Sequence, residues 1–249
     1  MIFDFPFVGN NEVGMLTDGT KVIGLIPARG GSKGVRRKNL RVLNGYPLIW
    51  YSIKAALSSA TIDQVWVSSE DREICDAAKK YGAMVLRRPD CLAEDSSSAA
   101  EVVANFRDSL PQSLIELNIM LVYLQPTSPL RSALHIDDAL LAMERSNVRN
   151  LVSVVKCNAS PFKAFRLNKD GMLEPLFGER SSNSNRQDLP ECYYPNGAIY
   201  AFMVKDFDKI GGFPSDGAFP FIMTDRDSVD VDSEADLKTV EKLLEESHD

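Results

Sequence analysis

Two patterns of hydrophobic positions alternate along the chain. Short continuous apolar runs predict buried strands at residues 21–26, 64–68, 83–86, 119–124, 150–155, 198–203 and 219–223. Longer segments with an apolar residue every three to four positions predict helices at residues 47–58, 71–81, 96–110, 132–146 and 234–246. Strands that alternate with helices indicate parallel βαβ units. We therefore expect an α/β fold with three layers and a doubly wound, mostly parallel sheet.

The alternation stops at residues 157–192, where the chain is polar and rich in turn-forming residues. The sequence Asn-Lys-Asp-Gly at residues 168–171 predicts a turn, and residues 178–188 are polar. We interpret residues 157–192 as a small β-rich insertion within a domain that covers residues 21–249. Residues 1–20 show no clear period and are treated as a leader of uncertain role.

Composition and charge exclude several classes of function. The 249 residues include 28 Lys and Arg against 35 Asp and Glu, a net charge of −7, which argues against a nucleic-acid partner or an anionic membrane surface. No apolar run approaches the roughly 18 residues of a membrane span. The first ten residues contain no basic residue, so we expect no signal peptide. Four widely spaced cysteines match neither a zinc site nor a disulfide framework, and a reduced, cytoplasmic protein is expected.

A glycine-rich loop, RGGSKG at residues 29–34, follows the first predicted strand. Glycines at such a junction let backbone N–H groups approach a ligand closely. The loop matches neither the Walker A nor the dinucleotide pattern. Ligands of open α/β sheets bind outside the carboxyl ends of the strands, so the loop predicts an anion site. A solvated basic turn is the alternative. Six cations lie within residues 29–41: Arg29, Lys33, Arg36, Arg37, Lys38 and Arg41.

A second loop, QPTSPLR at residues 125–131, leaves the carboxyl end of another predicted strand. Its prolines restrict its shape, while Gln125, Thr127, Ser128 and Arg131 offer hydrogen bonds. The alternative is a rigid turn followed by a helix cap at Ser132. That alternative explains Gln125 and Arg131 less well.

An acidic pair, Asp230 and Asp232, lies near the carboxyl terminus. Two carboxylates one residue apart on a strand point to the same side, and they repel each other unless a cation lies between them. Such oxygen ligands suit Mg²⁺, which is typically bound by one or two carboxylates and by substrate phosphates. The alternative is an acidic strand end with a helix cap at Ser233. Together with the cationic loop, the pair predicts a nucleoside triphosphate site.

A histidine-dependent hydrolase is disfavoured. The chain has two histidines, His135 and His248, and no G-x-S-x-G motif, so a Ser-His-Asp triad would rest on His135 alone. We interpret His135 as an ordinary residue of its helix.

With these motifs, the sequence resembles the CMP-sialic acid synthetases, or acylneuraminate cytidylyltransferases. The similar segments are IPARGGSKG at 26–34 with KNL at 38–40, QPTSPLR at 125–131, PNGAIY at 195–200 and DSVDVD at 227–232. The glycine loop is closer to the sialic-acid enzymes than to the related Kdo-activating enzymes. Two departures are Arg36-Arg37, where the family often has Pro before Leu or Arg, and Ala99, where a Ser is common.

The resemblance implies a Rossmann-like nucleotidyltransferase fold and an Mg²⁺-dependent reaction. CMP passes from CTP to the anomeric hydroxyl of a nonulosonic acid, and pyrophosphate leaves. The resemblance also implies a homodimer in which the insertion crosses to the partner, so that Arg186 serves the neighbouring site.

The same resemblance implies roles for individual residues. Arg29, Lys38 and Asp232 would be catalytic. The nucleotide would be bound by Arg29, Gly30, Ser32, Lys33, Lys38, Asn39, Arg88 and Ser97. The sugar would be bound by Gln125, Lys163, Arg186 and Gln187, and the metal by Asp230 and Asp232.

Two other functions stay open at this point. The chain could be a sugar nucleotidyltransferase with a legionaminic, pseudaminic or Kdo-type acceptor, or a non-catalytic nucleotide-binding protein of the same fold. The acidic pair argues against the second, because a protein that only binds a nucleotide does not need a metal site.

Overall fold

A computed structural model describes residues 19–111, 114, 118–210, 212–214 and 216–246. The predicted leader therefore lies almost wholly outside the described residues, and so does His248. None of the helices in the described ranges is long and apolar enough to cross a membrane.

A seven-stranded sheet forms the centre of the molecule, as the apolar runs predict. Its strands are β1 (Lys21–Pro27), β4 (Gln64–Ser69), β5 (Met84–Arg87), β6 (Ile119–Tyr123), β7 (Asn150–Lys156), β10 (Tyr193–Met203) and β11 (Phe219–Ile222). They lie in the order β11-β7-β10-β6-β1-β4-β5. All neighbouring pairs are parallel except those of β10, which runs antiparallel to both β6 and β7.

Helices cover both faces of the sheet, which confirms the three-layer α/β prediction. The described helices are α1 (Leu48–Leu57), α2 (Arg72–Lys80), α3 (Ala99–Asp108), α4 (Ala133–Arg145), α5 (Glu179–Asn183), α6 (Phe207–Ile210) and α7 (Glu234–Glu245). Apolar residues of α1, α2 and α4 pack on one face of the sheet, and those of α3 pack on the other. Side chains alternate between the two faces along β1: Val22 and Ile26 join the first core, Ile23 and Leu25 the second.

Serine caps fix the starts of three helices. Ser98, Ser132 and Ser233 each accept a hydrogen bond from a backbone N–H three residues later, in reciprocal capping boxes. The helix caps predicted at Ser132 and Ser233 are therefore confirmed. They do not exclude a ligand site beside either cap.

The insertion is a hairpin with a short helix. A two-stranded antiparallel ribbon, β8 (Phe165–Leu167) and β9 (Leu173–Pro175), is joined across the predicted turn. Helix α5 then lies in the stretch that the sequence predicts to be only polar loop. The ribbon is poorly covered, since Leu167 and Leu173 are each 69% exposed.

Two details of the strand prediction are wrong. Strand β10 begins at Tyr193 instead of residue 198, because its first residues pair with Lys156 and Val155 of β7 before the register shifts. Asp230 and Asp232 are not on a strand; they lie in an irregular segment just before α7.

A second small antiparallel ribbon, β2 (Val42–Leu43) with β3 (Tyr46–Pro47), follows the glycine loop.

Candidate active site

A cleft of about 420 Å³ lies at the carboxyl end of the parallel strands. Both predicted loops and the acidic pair border it, although they come from distant parts of the chain. Ten of the predicted site residues line the cleft: Arg29, Ser32, Lys33, Lys38, Asn39, Arg88, Ser97, Gln125, Asp230 and Asp232. The structure does not place Gly30, Lys163, Arg186 or Gln187 among its lining residues.

The glycine loop packs directly against the acidic segment. A Cβ on Gly34 would lie 1.9 Å from the carbonyl oxygen of Asp232, so only glycine allows this approach. The Lys38 ammonium donates a hydrogen bond to the Val231 carbonyl at 2.7 Å and forms an ion pair with Asp232 at 2.9 Å. The cationic loop and the acidic pair are thus two walls of one site.

The acidic segment also contacts the second loop. The Val231 N–H donates to the Thr127 carbonyl at 2.8 Å, and the Thr127 side chain hydrogen-bonds to Asp230. Partial burial raises the pKa of Asp230, and the neighbouring Asp232 carboxylate raises it further; the Thr127 hydrogen bond and the Lys38 charge oppose this. A carboxylate with a raised pKa beside a second carboxylate is a place where a cation is favourable.

The donor set fits a magnesium ion that is also bound by substrate. No group of three or more His, Cys, Asp or Glu residues in the described ranges could hold a metal alone. Two carboxylates that face a cationic loop suit Mg²⁺, because phosphate oxygens and water usually complete its coordination shell.

Asp95 occupies the space between two cations of the glycine loop. Its carboxylate lies 2.9 Å from Arg29 Nη1 and 2.9 Å from Lys33 Nζ, and Arg29 also donates to the Glu94 carbonyl at 3.2 Å. The hydrogen bond from Lys33 holds the pKa of Asp95 below its usual value. A phosphate group would compete with Asp95 for both cations. The sequence places Asp95 in a loop, residues 95–98, that is predicted to border the base, but it does not predict these two ion pairs.

Glu70 links the glycine loop to Arg88. Arg88 is 5% exposed and its guanidinium lies 3.1 Å from the Glu70 carboxylate. The other Glu70 oxygen accepts the Gly30 N–H at 2.6 Å, which leaves that N–H engaged within the protein. The sequence does not predict a role for Glu70. Its position at the carboxyl end of a predicted strand was the available signal.

Arg37, one of the departures from the resembling family, adopts a left-handed conformation with φ 54°. Its guanidinium forms ion pairs with Asp71 at 3.2 Å and Glu73 at 3.3 Å, both at the start of α2. These contacts hold the end of the glycine loop against the domain. Ala99, the other departure, begins α3 and lines the cleft.

The second loop is braced by a buried arginine. Arg131 is 2% exposed and donates to the carbonyls of Gln125 at 3.0 Å and Ala198 at 2.8 Å, and to the Ser52 hydroxyl. Burial lowers the pKa of Arg131 to about 9, so it remains charged at neutral pH. Arg131 is not among the residues that line the cleft, and its hydrogen bonds brace the loop, so the rigid-turn alternative explains this residue.

Gln125 itself faces the cleft. Gly197 of β10 passes beside it with φ 77°, and a Cβ there would lie 2.5 Å from the Gln125 side-chain oxygen. Glycine at this position therefore gives the Gln125 amide its space.

His135 has a structural role, as expected. Its ring accepts the Ser132 N–H at 3.2 Å within the helix cap and lies 3.7 Å from Asp227. The four cysteines are free thiols.

Comparison with known proteins identifies the family. The sequence profile described as "Cytidylyltransferase" matches residues 23–205. An N-acylneuraminate cytidylyltransferase of Escherichia coli O18:K1:H7 is 34% identical over 220 residues, which are 88% of this chain and 51% of that protein. The chain thus spans about half the length of this relative, and 52% of the Streptococcus agalactiae serotype V enzyme of the same name. The Post-translational flagellin modification protein B of Campylobacter coli is 34% identical over 237 residues, with 92% and 97% of the two chains covered.

Solved structures share the fold. CMP:2-keto-3-deoxy-manno-octonic acid synthetase complexed with CTP superposes with a TM-score of 0.66 at 18% identity, covering 92% of this chain and all of that one. The 4-diphosphocytidyl-2C-methyl-D-erythritol synthase of Anaerococcus prevotii superposes with a TM-score of 0.61 at 11% identity, covering 92% of this chain and 97% of that one.

The resemblance drawn from the four sequence motifs is confirmed at the level of the family and the fold. The chain belongs to the cytidylyltransferase family.

Proposed function

We propose that the protein transfers CMP from CTP to the anomeric hydroxyl of a sialic acid or related nonulosonic acid and releases pyrophosphate. One observation carries this proposal: in a chain of the cytidylyltransferase family, a cationic glycine loop and a carboxylate pair face the same cleft. The relatives named N-acylneuraminate cytidylyltransferase support the choice of acceptor.

The reaction joins the anomeric oxygen to the α-phosphorus of CTP and breaks the bond from that phosphorus to pyrophosphate. Such a transfer depends on positioning and charge neutralisation more than on covalent chemistry. Arg29, Lys33 and Lys38 line the cleft and supply three cations. These cations pair with Asp95 and Asp232, so a bound triphosphate would displace at least the Asp95 contacts.

Asp230 and Asp232 are proposed to hold Mg²⁺ together with the triphosphate. When bound, the ion would neutralise charge on the phosphates and orient them. The ion pair with Lys38 keeps the Asp232 carboxylate directed toward the glycine loop before any substrate arrives.

The acceptor half of the cleft is incomplete in one chain, which supports a homodimer. Gln125 lines the cleft, but Arg186 and Gln187 lie in the exposed insertion and do not. The hairpin exposes several large apolar side chains, which would be covered if it packed on a second copy: Phe165, Leu167, Met172, Leu173, Leu176 and Phe177. A two-fold arrangement that places Arg186 in the partner's cleft would cover them and complete the site.

A second acceptor class is supported by a separate observation. The Campylobacter coli relative, which this chain spans almost completely, is named for flagellin modification and not for N-acylneuraminate. Transfer to another nonulosonic acid on the same site is therefore the second candidate. A cytoplasmic location fits either reaction, because all four cysteines are free.

The test is pyrophosphate release from CTP and Mg²⁺ with a panel of nonulosonic acids that includes sialic, legionaminic, pseudaminic and Kdo-type acceptors. Rapid release with a sialic acid supports the first candidate, and release only with another member supports the second. Tight CTP binding without release from any acceptor would contradict both.

A further inference from the structure

Glu70 is a largely buried acidic side chain that the proposed reaction does not use. It is the first residue after β4, and its side chain is 13% exposed. One carboxylate oxygen accepts the Gly30 N–H at 2.6 Å, and the other accepts Arg88 Nη2 at 3.1 Å and Nε at 3.3 Å. One side chain therefore contacts two separate segments of the chain at once.

The order of the sheet explains why Glu70 reaches both segments. Strands β1, β4 and β5 are consecutive in the sheet and parallel, so their carboxyl ends lie side by side. The glycine loop follows β1 on one side of Glu70, and Arg88 follows β5 on the other. Backbone bonds continue past the strand ends, because the Ala28 N–H donates to the Ser68 carbonyl and the Arg88 N–H donates to the Ser69 carbonyl. Glu70 thus lies between the glycine loop and Arg88.

On the glycine-loop side, the contact with Glu70 sets the position of the backbone. A Cβ on Gly30 would lie 2.5 Å from a carboxylate oxygen of Asp71 and 3.0 Å from the Asp71 Cβ, so glycine lets the loop approach the end of β4 closely. The Gly30 N–H is satisfied by Glu70. Arg29, the residue before it, lines the cleft, whereas Glu70 is not among the lining residues. Glu70 therefore acts on this side of the cleft through the loop.

On the other side, the contact with Glu70 orients the Arg88 guanidinium. Arg88 lines the cleft, although its side chain is only 3% exposed. The guanidinium is planar, so hydrogen bonds from both Nε and Nη2 to one carboxylate oxygen restrict its orientation. A buried cation that loses its anionic partner is costly, so Glu70 also stabilises Arg88 in this buried position.

We infer that Glu70 is a positioning residue that holds the glycine loop and Arg88 at a fixed separation, so that both ends of a nucleoside triphosphate are bound at once. This inference rests on the proposed function, in which the loop binds the triphosphate and Arg88 lies near the cytosine and ribose. Groups that are held in place before the ligand arrives cost less free energy to order on binding. Loss of Glu70 should therefore weaken the binding of the whole nucleotide more than the binding of either part.

The test compares Glu70→Gln with the wild type by calorimetric titration of CTP, CMP and inorganic tripolyphosphate in the presence of Mg²⁺. Gln has nearly the same size, but its NH2 group would face either the Gly30 N–H or Arg88, and both of these are donors. We expect Kd for CTP to rise about tenfold or more, and Kd for CMP and for tripolyphosphate to rise less than about threefold each. In steady-state kinetics, KM for CTP should rise while KM for the acceptor stays within about twofold.

Glu70→Asp keeps the charge and provides a second test that does not depend on the stability of the Gln variant. Its carboxylate is one methylene shorter, so it cannot contact both Gly30 and Arg88 from the same backbone position. We expect its Tm to stay closer to that of the wild type than the Tm of Glu70→Gln, while Kd for CTP still rises at least about threefold. A wild-type Kd for CTP in this variant would show that the span of the side chain is not required, and would overturn the inference.

Asp63→Asn is the matched control. Asp63 makes the same kind of double contact at the opposite, amino end of β1: one oxygen accepts the Val22 N–H at 2.7 Å, and the other lies 3.8 Å from Lys21 Nζ. Its loss should lower Tm and leave Kd for CTP, CMP and tripolyphosphate unchanged. A merely structural role of Glu70 would give this same pattern, with a lower Tm and unchanged affinities.

The outcomes separate this inference from the proposed function. If Kd for CTP rises no more in Glu70→Gln than Kd for CMP or for tripolyphosphate, Glu70 acts on one segment alone, and the inference fails while the proposed function stands. If the expected pattern of Kd values is found but no acceptor supports pyrophosphate release, the inference is supported and the proposed transfer fails. If the wild type does not bind CTP, both fail together.

Discussion

The loops that follow β1 and β6 leave the same edge of the sheet, yet their arginines have opposite surroundings. Arg29 of the glycine loop lines the cleft and pairs with Asp95 in a partly exposed contact. Arg131 of the second loop is buried and donates to two backbone carbonyls. Both loops were rich in polar residues after an apolar strand, so loop composition alone does not separate a ligand-binding arginine from a structural one. Depth of burial separates them.

The largest expected effect concerns the acidic segment between the two loops. Asp232→Ala should lower kcat by about 100- to 1000-fold, because it removes a proposed metal ligand and the ion-pair partner of Lys38. The free energy of unfolding should change by less than about 1 kcal/mol, since the Asp232 side chain is largely exposed. Pyrophosphate release and urea unfolding measure the two quantities.

Glu234→Ala is the matched control for that prediction. Glu234 lies two residues further on and pairs with Arg41 at 3.0 Å outside the cleft. Its loss should leave kcat unchanged. Near-normal activity of Asp232→Ala in saturating Mg²⁺ would rule out the metal role.

The contrast between Arg29 and Arg131 can be tested directly by mutation. Arg131→Ala should lower the free energy of unfolding by about 2–3 kcal/mol, because the carbonyls of Gln125 and Ala198 lose their donor inside the protein. Arg29→Ala should cost less than about 1 kcal/mol of stability but weaken CTP binding. Urea unfolding and CTP titration of both variants decide the matter. Equal losses of stability would show that the two arginines do not differ as described.

The preference among nucleotides tests the proposal that the glycine-loop side of the cleft binds CTP. We expect kcat/KM for CTP to exceed that for ATP or GTP by at least about tenfold, because a purine should be too large for the cytosine pocket that we propose near Arg88 and Ser97. Competition kinetics with the three nucleotides measure this ratio. Equal rates with ATP would favour a nucleotidyltransferase of broader specificity.

The second loop, through Gln125, borders the part of the cleft that we propose a partner chain completes. Mixing inactive Asp232→Ala with inactive Arg186→Ala should restore about a quarter of wild-type activity, because half of the dimers are mixed and each has one intact site. Either variant mixed with itself is the control. No rescue in proven mixed dimers would place Arg186 in its own chain's site, and a fully active monomer would exclude the shared site.

The smallest expected effect is on the pH dependence of thermal stability. Because the pKa of Asp230 is raised in the folded protein, ionisation of this group destabilises the fold as pH rises above the ordinary aspartate value of about 4. Without Mg²⁺, Asp230→Asn should therefore have a higher Tm than the wild type at neutral pH. The difference should vanish below the ordinary aspartate pKa, where the wild-type carboxyl is protonated in both states. Thermal unfolding of both proteins across this range is the measurement, and a lower Tm at neutral pH would contradict it.

The central sheet was predictable because its signals are local. Apolar runs such as those of β1 and β6 are buried wherever they pair, and the caps at Ser132 and Ser233 depend on residues only three positions apart. Both loops of the cleft also followed from a general property of parallel sheets. The start of β10 was missed because Tyr193 and Tyr194 are strand residues only through their pairing with β7.

The sequence by itself determined the alternation of strands and helices, the helix caps, and the presence of a cationic glycine loop and an acidic pair. Tertiary structure alone decided which polar groups became buried and which faced the cleft. Glu70 and Asp95 gained their positions through contacts with residues far away in the chain, and Lys38 meets Asp232 across 194 positions. Burial and charge pairing depend on such distant contacts, so no local pattern could distinguish Arg131 from Arg29.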